Sequence, residues 1–121
     1  DLLPAHVAAV RDAGLQVVWS CDPMHGNTRK ASVGLKTRDF DDILGELRAA
    51  FDVHSAEGTV LGGVHFEMTG EDVTECTGGP QGLGEQDLSR AYESFCDPRL
   101  NNAQSLEVAF LVARRLQQDR G

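Results

Sequence analysis

Residues 15–23 have the sequence LQVVWSCDP, and residues 59–68 have the sequence TVLGGVHFEM. Leu15 to Trp19 form a short and mostly apolar run, which is typical of a parallel β-strand covered on both faces. The polar residues that follow this run end the strand. The second run predicts another strand, in which the Gly62-Gly63 pair indicates a bulge or a point of close approach. The segments around these two strands are predicted to be helical.

Three helices are predicted from the spacing of apolar residues and from capping signals. Residues 3–13 carry an apolar face and have a proline in the first turn, where proline is tolerated. Residues 40–57 carry apolar side chains three and four positions apart, and Asp39 precedes them as the N-cap. The last helix follows Asn101 or Asn102, either of which would cap it.

The remaining segments are two long loops, residues 22–38 and 69–87, and a short helix over residues 87–95. The order helix, strand, helix, strand, helix is typical of a β/α barrel or of a doubly wound sheet. Two strands cannot close a barrel of eight. The pattern therefore predicts part of an α/β domain. At 121 residues, the chain has room for one such domain.

Composition excludes several classes of protein. The net charge of −8 argues against binding to nucleic acid, which needs clustered Lys and Arg. No run approaches the roughly 18 apolar residues of a membrane span, so a cytoplasmic location is expected and no membrane partner. The three cysteines are odd in number and widely spaced, which predicts reduced thiols rather than disulfides. Because the chain begins at Asp1, its N-terminus is expected to arise by truncation or processing.

Polar side chains with metal-binding chemistry follow both predicted strands and precede the last helix. His25 follows the first strand, Glu67 lies at the end of the second, and Asp97 lies in a third polar cluster. Such groups at strand ends face the site in parallel α/β folds, and an imidazole with two carboxylates suits Mn²⁺, Fe²⁺, Co²⁺ or Zn²⁺. The residues alone leave alternatives open: His25 as a hydrogen-bonded structural residue, and Asp97 before Pro98 as the start of a turn.

Three polar segments and a short basic one form a distinctive series along the chain. They are WSCDPMHGNT at residues 19–28, GLKTR at 34–38, GGVHFEMTG at 62–70 with DVTEC at 72–76, and CDPRLN at 96–101 with QSLE at 104–107. This series resembles the signatures of class II (plant-type) 3-deoxy-D-arabino-heptulosonate-7-phosphate (DAHP) synthases. The similarity runs over essentially the whole chain, so residues 1–121 are predicted to be a C-terminal fragment of that enzyme's barrel domain.

The resemblance implies a (β/α)₈ barrel, of which this chain would supply one helix and then two βα units. It also implies that the full enzyme joins phosphoenolpyruvate to erythrose 4-phosphate and water, giving DAHP and phosphate in the first step of the shikimate pathway to chorismate and the aromatic amino acids. By motif, His25, Glu67 and Asp97 are three of the family's four metal ligands. The family's fourth ligand is a Cys in an upstream motif, and none of the cysteines here lies in that motif. The residues that bind phosphoenolpyruvate also lie upstream.

Further expectations follow from the same resemblance. The metal is expected to be Mn²⁺, with Co²⁺, Fe²⁺, Zn²⁺ and Cd²⁺ as alternatives, and to polarise the aldehyde oxygen of erythrose 4-phosphate. A homo-oligomer is expected for the full-length enzyme, in the cytoplasm or, in a plant, the plastid. The basic group Arg29, Lys30, Lys36 and Arg38 would attract a sugar phosphate or form a solvated loop. The competing hypothesis is a truncated, inactive homologue that binds metal or a partner chain.

Overall fold

The computed structural model describes residues 2–120, and within that range the chain forms three α-helices, four short β-strands and two 3₁₀ turns. In chain order they are α1 (Leu3–Asp12), β1 (Trp19–Cys21), β2 (Thr28–Lys30), β3 (Lys36–Arg38), α2 (Phe40–Glu57), β4 (Leu61–Val64) and α3 (Asn102–Arg120), with the 3₁₀ turns at His25–Asn27 and Glu85–Arg90. The predicted α/β class is confirmed.

The strands β1 and β4 are parallel neighbours, and α2 lies between them in the chain. Trp19 pairs with Leu61, whereas the next residue of β1 pairs with Gly63, so Gly62 is an extra residue in β4 and forms a bulge. A Cβ atom at Gly62 would lie 3.0 Å from Cγ1 of Val18. A larger residue in the bulge would therefore require the exposed Val18 side chain to shift. The predicted parallel pairing and the predicted bulge are both confirmed.

Helix α2 begins and ends where its capping residues predict. The Asp39 carboxylate accepts a hydrogen bond of 2.9 Å from the backbone N–H of Asp41, which satisfies one of the free donors of the first turn. Gly58 ends the helix in the left-handed conformation, with φ of +70°. The buried face of α2 carries apolar residues at helical spacing, among them Ile43 and Leu47, and forms the centre of the hydrophobic core.

Helix α3 begins with a reciprocal cap. The Asn101 side-chain oxygen accepts from the backbone N–H of Gln104 at 2.9 Å, and the Gln104 side-chain oxygen accepts from the backbone N–H of Asn101 at 3.0 Å. Of the two predicted caps, Asn101 is therefore the one used. Val108 and Leu111 join the core beside α2, so α3 is fixed at its start by this buried cap and along its length by packing.

The boundaries predicted for the first strand were wrong. The strand spans Trp19–Cys21 rather than Leu15–Trp19, and the side chains of Leu15, Val17 and Val18 are exposed. An apolar run locates a buried segment of a complete domain, but a strand forms only where a neighbouring strand offers hydrogen bonds. Within residues 2–120, β4 is the neighbour of β1, and it reaches only residues 19–21.

The prediction of a long loop over residues 22–38 was also wrong. This segment contains an antiparallel hairpin, with β2 paired to β3 and a tight turn at Gly34, where φ is +90°. The predicted helix over residues 87–95 is a 3₁₀ turn that ends at Arg90. The hairpin residues are mostly polar, so the apolar periodicity used for prediction gives no signal there.

Apolar side chains that flank β1 and β4 are exposed, and we call them the uncovered edge. Val18 and Val60 are 85% and 79% exposed, and Leu15 and Val17 are exposed as well. No helix among the described residues combines the length and apolarity that crossing a membrane requires. The part of the chain described here is thus an α/β segment with two parallel strands and an open flank.

Candidate metal centre

His25 lies in the 3₁₀ turn just after β1, and Asp22 determines how its ring is oriented. The Asp22 carboxylate accepts hydrogen bonds from the backbone N–H groups of Met24 and His25, and its Oδ2 lies 2.7 Å from Nδ1 of the His25 ring. With Nδ1 bound to a carboxylate, the other ring nitrogen is free to act as a metal ligand. That atom, Nε2, lies 3.2 Å from Oε1 of Glu67.

Glu67 follows β4, and its carboxylate lies within 4.8 Å of the ligand atoms of both His25 and Asp97. The backbone N–H of His65 donates to the carbonyl of Cys21 at 2.8 Å, which continues the parallel pairing just beyond the strands. The backbone N–H of Leu100 donates to the carbonyl of Glu67 at 2.9 Å, and Met68 and Leu100 form a parallel bridge. The segment that follows Asp97 therefore lies beside the Glu67 segment and runs parallel to it, as a third strand would.

Asp97 lies in an irregular loop, residues 93–99, which we call the Asp97 loop. Its carboxylate is 3.3 Å from Nζ of Lys36, and its backbone carbonyl accepts a hydrogen bond of 2.7 Å from the hydroxyl of Ser94. Its side chain is one-third exposed. The three residues predicted to bind metal are thus brought together from three separate segments of the chain.

The ligand atoms of His25, Glu67 and Asp97 lie within 4.8 Å of one another. Ligands about 2 Å from a shared ion lie roughly 3 Å apart, so small side-chain rotations would bring these atoms to bonding distance. An imidazole nitrogen with two carboxylate oxygens fits a first-row divalent ion. His65 and Asp22 form a second, overlapping group with His25, but all three of its members are exposed. The deeper group is the better candidate.

Arg38 is the buried cation of the site. Its side chain is fully buried, and its guanidinium Nη1 donates to Oε2 of Glu67 and, at 2.7 Å, to the carbonyl of Pro98. Its Nε donates to the hydroxyl of Thr28 at 2.8 Å, whereas its Nη2 is buried with no hydrogen-bond partner among residues 2–120. Arg38 therefore joins the Glu67 segment to the Asp97 loop and balances the charge of Glu67.

Arg38 and Lys36 were predicted as members of one basic loop, but the four basic residues do not form a single patch. Arg29 pairs with Glu85 at 2.6 Å, Lys36 pairs with Asp97, and Arg38 is buried. Of these four residues, Lys30 alone is exposed and has no ion pair with another described residue. Two of the four cations thus face the candidate metal centre itself.

Glu75 is a buried carboxylate beneath the Asp97 loop. Burial alone would raise its pKa, but hydrogen bonds from Arg99 and from the backbone N–H of Glu93 hold the pKa of this carboxyl below its ordinary value. It is therefore charged at neutral pH. Sequence reasoning missed Glu75 and the orienting role of Asp22, and it placed Arg38 in a basic loop rather than beside Glu67. Only Asp22 had a local signal, a carboxylate three residues before a histidine at a strand end.

The cysteines lie outside the centre. Burial raises the pKa of Cys21 to about 11 and that of Cys76 to about 12, so both are neutral thiols at physiological pH. Cys96 is exposed beside Asp97. Neither metal-capable group found in residues 2–120 includes a cysteine.

The fold and the site together define an α/β segment whose strand ends carry a candidate divalent-metal centre. The model of the class-II DAHP synthetase family matches residues 1–113. The chain is 57% identical over 116 residues to phospho-2-dehydro-3-deoxyheptonate aldolase AroG of Mycolicibacterium smegmatis, covering 96% of this chain and 25% of that protein. It is 55% identical over 122 residues to phospho-2-dehydro-3-deoxyheptonate aldolase of Neurospora crassa, covering 99% of this chain and 25% of that protein.

The chain belongs to the class-II DAHP synthetase family. It spans about a quarter of the length of these two relatives. The resemblance found in the motifs is confirmed.

Proposed function

We propose that this chain is the metal-binding quarter of a DAHP synthase, with His25, Glu67 and Asp97 as ligands. The full protein would join phosphoenolpyruvate to erythrose 4-phosphate and water, producing DAHP and phosphate. The observation that supports this most directly is the convergence of three ligand atoms within 4.8 Å, in a chain of this family.

Each ligand has a defined role in this proposal. His25 would bind through Nε2, because Asp22 occupies its Nδ1. Glu67 would bind through Oε1, which faces Nε2 of His25, while Arg38 holds Oε2. Asp97 would bind through its carboxylate after release from Lys36. The freed ammonium group of Lys36 would then be available to an anionic substrate.

A divalent ion held there, Mn²⁺ in the first instance and otherwise Co²⁺, Fe²⁺, Zn²⁺ or Cd²⁺, would supply Lewis-acid polarisation of the aldehyde oxygen of erythrose 4-phosphate. The surrounding residues suit anionic substrates. With an ion bound, its charge and those of Arg38 and Lys36 would offset the charges of Asp22, Glu67, Asp97 and a Cys thiolate, and the Lys36 ammonium group would face a phosphate ester.

The remainder of the enzyme lies outside this chain. We propose that β1 and β4 are two strands of a (β/α)₈ barrel, that a Cys from an upstream segment completes the ligand set, and that the full-length protein is a cytoplasmic or plastid homo-oligomer. The uncovered edge at Val18 and Val60 supports the barrel proposal, because the packed interior or the outer helices of a complete barrel would bury these side chains. That edge equally suits a truncated homologue that pairs with another chain.

A chimaera tests the proposed function. The matching stretch of the M. smegmatis relative would be replaced by this chain, and loss of phosphoenolpyruvate would be followed with both substrates and Mn²⁺. Activity should require the metal and should fall on the order of 100-fold or more in His25→Ala, Glu67→Gln and Asp97→Asn, since even the outer-shell partners of ligands contribute 10- to 100-fold.

Matched controls separate these losses from general damage. His6→Ala, Asp42→Asn and Glu107→Gln change the same residue types at exposed positions on the helices. They should retain the activity of the unchanged chimaera. Full activity in Glu67→Gln would refute the proposed ligand set, and activity independent of any divalent ion would refute the metal centre.

A further inference from the structure

The Glu75 carboxylate accepts five hydrogen bonds, all of them from the Asp97 loop. Three come from the backbone N–H groups of Glu93, Ser94 and Arg99, at 3.0, 3.0 and 2.9 Å. The other two come from the Arg99 guanidinium, whose Nε and Nη2 lie 3.0 and 2.9 Å from the two carboxylate oxygens. The Glu75 side chain is fully buried, whereas that of Arg99 is one-third exposed.

These bonds close the Asp97 loop around one charged group. The donors Glu93 and Ser94 lie before Asp97 in the chain, and the donor Arg99 lies after it, so both ends of the loop are held at one point. The Ser94 hydroxyl then donates to the carbonyl of Asp97 at 2.7 Å. Ser94 thus connects the backbone of Asp97 to the Glu75 carboxylate.

Apolar burial holds the Asp97 loop only at its C-terminal end, where Pro98 is buried and Leu100 joins the hydrophobic core. Phe95 is fully exposed and Cys96 is exposed, although a phenylalanine is the residue that would anchor a loop by packing. The loop also has no regular secondary structure between residues 93 and 97. The shape of the loop before Pro98 therefore depends on charge-assisted hydrogen bonds, which are roughly twice as strong as neutral ones.

We propose that Glu75 is a positioning residue, which holds the Asp97 carboxylate in place for metal binding through the Asp97 loop. This inference rests on the proposed metal centre. A metal ligand on an irregular loop binds weakly unless the loop is already ordered. An unordered loop loses conformational entropy when the ion binds, and this loss weakens the affinity. The Glu75 carboxylate supplies that order before any ion arrives.

The first test measures Mn²⁺ affinity in the chimaera, by electron paramagnetic resonance of the free ion. Glu75→Gln keeps the shape of the side chain but places an amide N–H₂ against backbone donors, and it should weaken Mn²⁺ binding roughly 10-fold or more, the range known for outer-shell partners. The matched control Glu107→Gln should bind Mn²⁺ as the unchanged chimaera does.

A double-mutant cycle shows whether Glu75 acts through Asp97. In an Asp97→Asn background, Glu75→Gln should change Mn²⁺ affinity by less than about twofold, because the residue it positions no longer binds as a carboxylate. An equal loss in both backgrounds would overturn the proposal and leave Glu75 with a merely structural role. Unchanged affinity after Glu75→Gln alone would overturn it as well.

Arg99→Lys and Ser94→Ala keep the proposal testable if Glu75→Gln fails to fold. Lysine keeps the charge opposite Glu75 but cannot make the two-pronged contact. Alanine removes the hydroxyl that donates to the Asp97 carbonyl and accepts from the backbone N–H of Cys96. Both should weaken Mn²⁺ binding by a few-fold, again only when Asp97 is present. Affinity unchanged in both variants would count against the proposal.

Hydrogen exchange without metal separates this inference from the proposed function. In the metal-free chimaera, Glu75→Gln or Arg99→Lys should speed exchange at the amides of Ser94 and Arg99 at least 10-fold while leaving α2 unchanged. If exchange behaves in this way but Mn²⁺ binding does not depend on His25, the metal centre fails and Glu75 only orders the loop. If binding depends on His25 and exchange is unaltered, the positioning role fails.

Discussion

Oδ2 of Asp22 lies 2.7 Å from Nδ1 of His25, while Nε2 of the same ring lies 3.2 Å from Glu67. The carboxylate on one side of the imidazole therefore directs the lone pair on the other side toward the candidate metal centre. The backbone N–H groups of Met24 and His25 also donate to Asp22, so this carboxylate is itself held in place.

Asp22→Asn should weaken metal binding without unfolding the protein. An amide at this position can present N–H₂ to the imidazole, which favours the wrong tautomer and moves the proton to Nε2. We expect Mn²⁺ affinity in the chimaera to fall roughly 10- to 100-fold. Asp42→Asn, at an exposed position on α2, is the control. Equal affinity in the two variants would contradict the role assigned to Asp22.

Arg38→Met should lower stability more than any surface substitution. It removes a fully buried guanidinium and leaves Glu67 without its cation, a change that costs on the order of 3 kcal/mol of unfolding free energy. Denaturant unfolding of the chimaera measures this loss. Added Mn²⁺ should restore part of it, because a bound ion replaces the missing positive charge beside Glu67. A loss that Mn²⁺ does not change would show that Arg38 acts on packing alone.

How far the sequence predicts this fold depends on whether a feature is local. The bounds of α2 are predictable residue by residue because Asp39 and Gly58 cap it directly and its apolar spacing spans every turn. The position of β1 is not predictable in this way. It depends on which residues β4 can reach, and β4 lies some 40 positions further along the chain.

The candidate site also has features that the sequence predicts and features that depend on contacts between distant residues. His25, Glu67 and Asp97 are recognisable because each lies in a motif that matches a known family. The contacts that support them join distant positions: Arg38 and Glu67 are 29 residues apart, and Glu75 and Arg99 are 24 apart. Such pairs leave no periodicity in the sequence, so only the folded chain reveals them.

The hydrogen bonds between Glu85 and the β2–β3 hairpin should break in acid. Glu85 accepts hydrogen bonds from the Ser32 hydroxyl and from Arg29, and these lower its pKa to about 2. A carboxyl whose pKa is lower in the folded state stabilises that state at pH values above its ordinary pKa, and the stabilisation is lost as pH falls toward 2. The contact of Glu85 with Ser32 and Arg29 should therefore be lost between about pH 4 and pH 2, while buried Arg38 keeps the hairpin in place.

The amide resonance of Ser32 reports this change by NMR, because its N–H donates to Glu85 at 3.0 Å. Glu85→Gln should abolish the pH dependence of that resonance, while Glu107→Gln should leave it intact. A titration midpoint near 4.3, the ordinary value for a glutamic acid, would show that the contact does not persist in solution.

The isolated chain should associate with itself through its uncovered edge and should lack synthase activity. Val18 and Val60 are 85% and 79% exposed beside β1 and β4, and an open apolar strand edge favours pairing with another chain. Sedimentation should therefore show dimers or larger species. Val18→Thr combined with Val60→Thr keeps the side-chain shape while adding hydroxyls, and it should shift the purified chain toward monomer.

In the chimaera, Val18→Thr combined with Val60→Thr should instead destabilise the fold, because the rest of the barrel would cover these side chains. The expected loss is roughly 1 kcal/mol or more for each hydroxyl left without a partner. A chimaera as stable as the unchanged one would show that the edge stays open, and would favour the truncated homologue over the barrel.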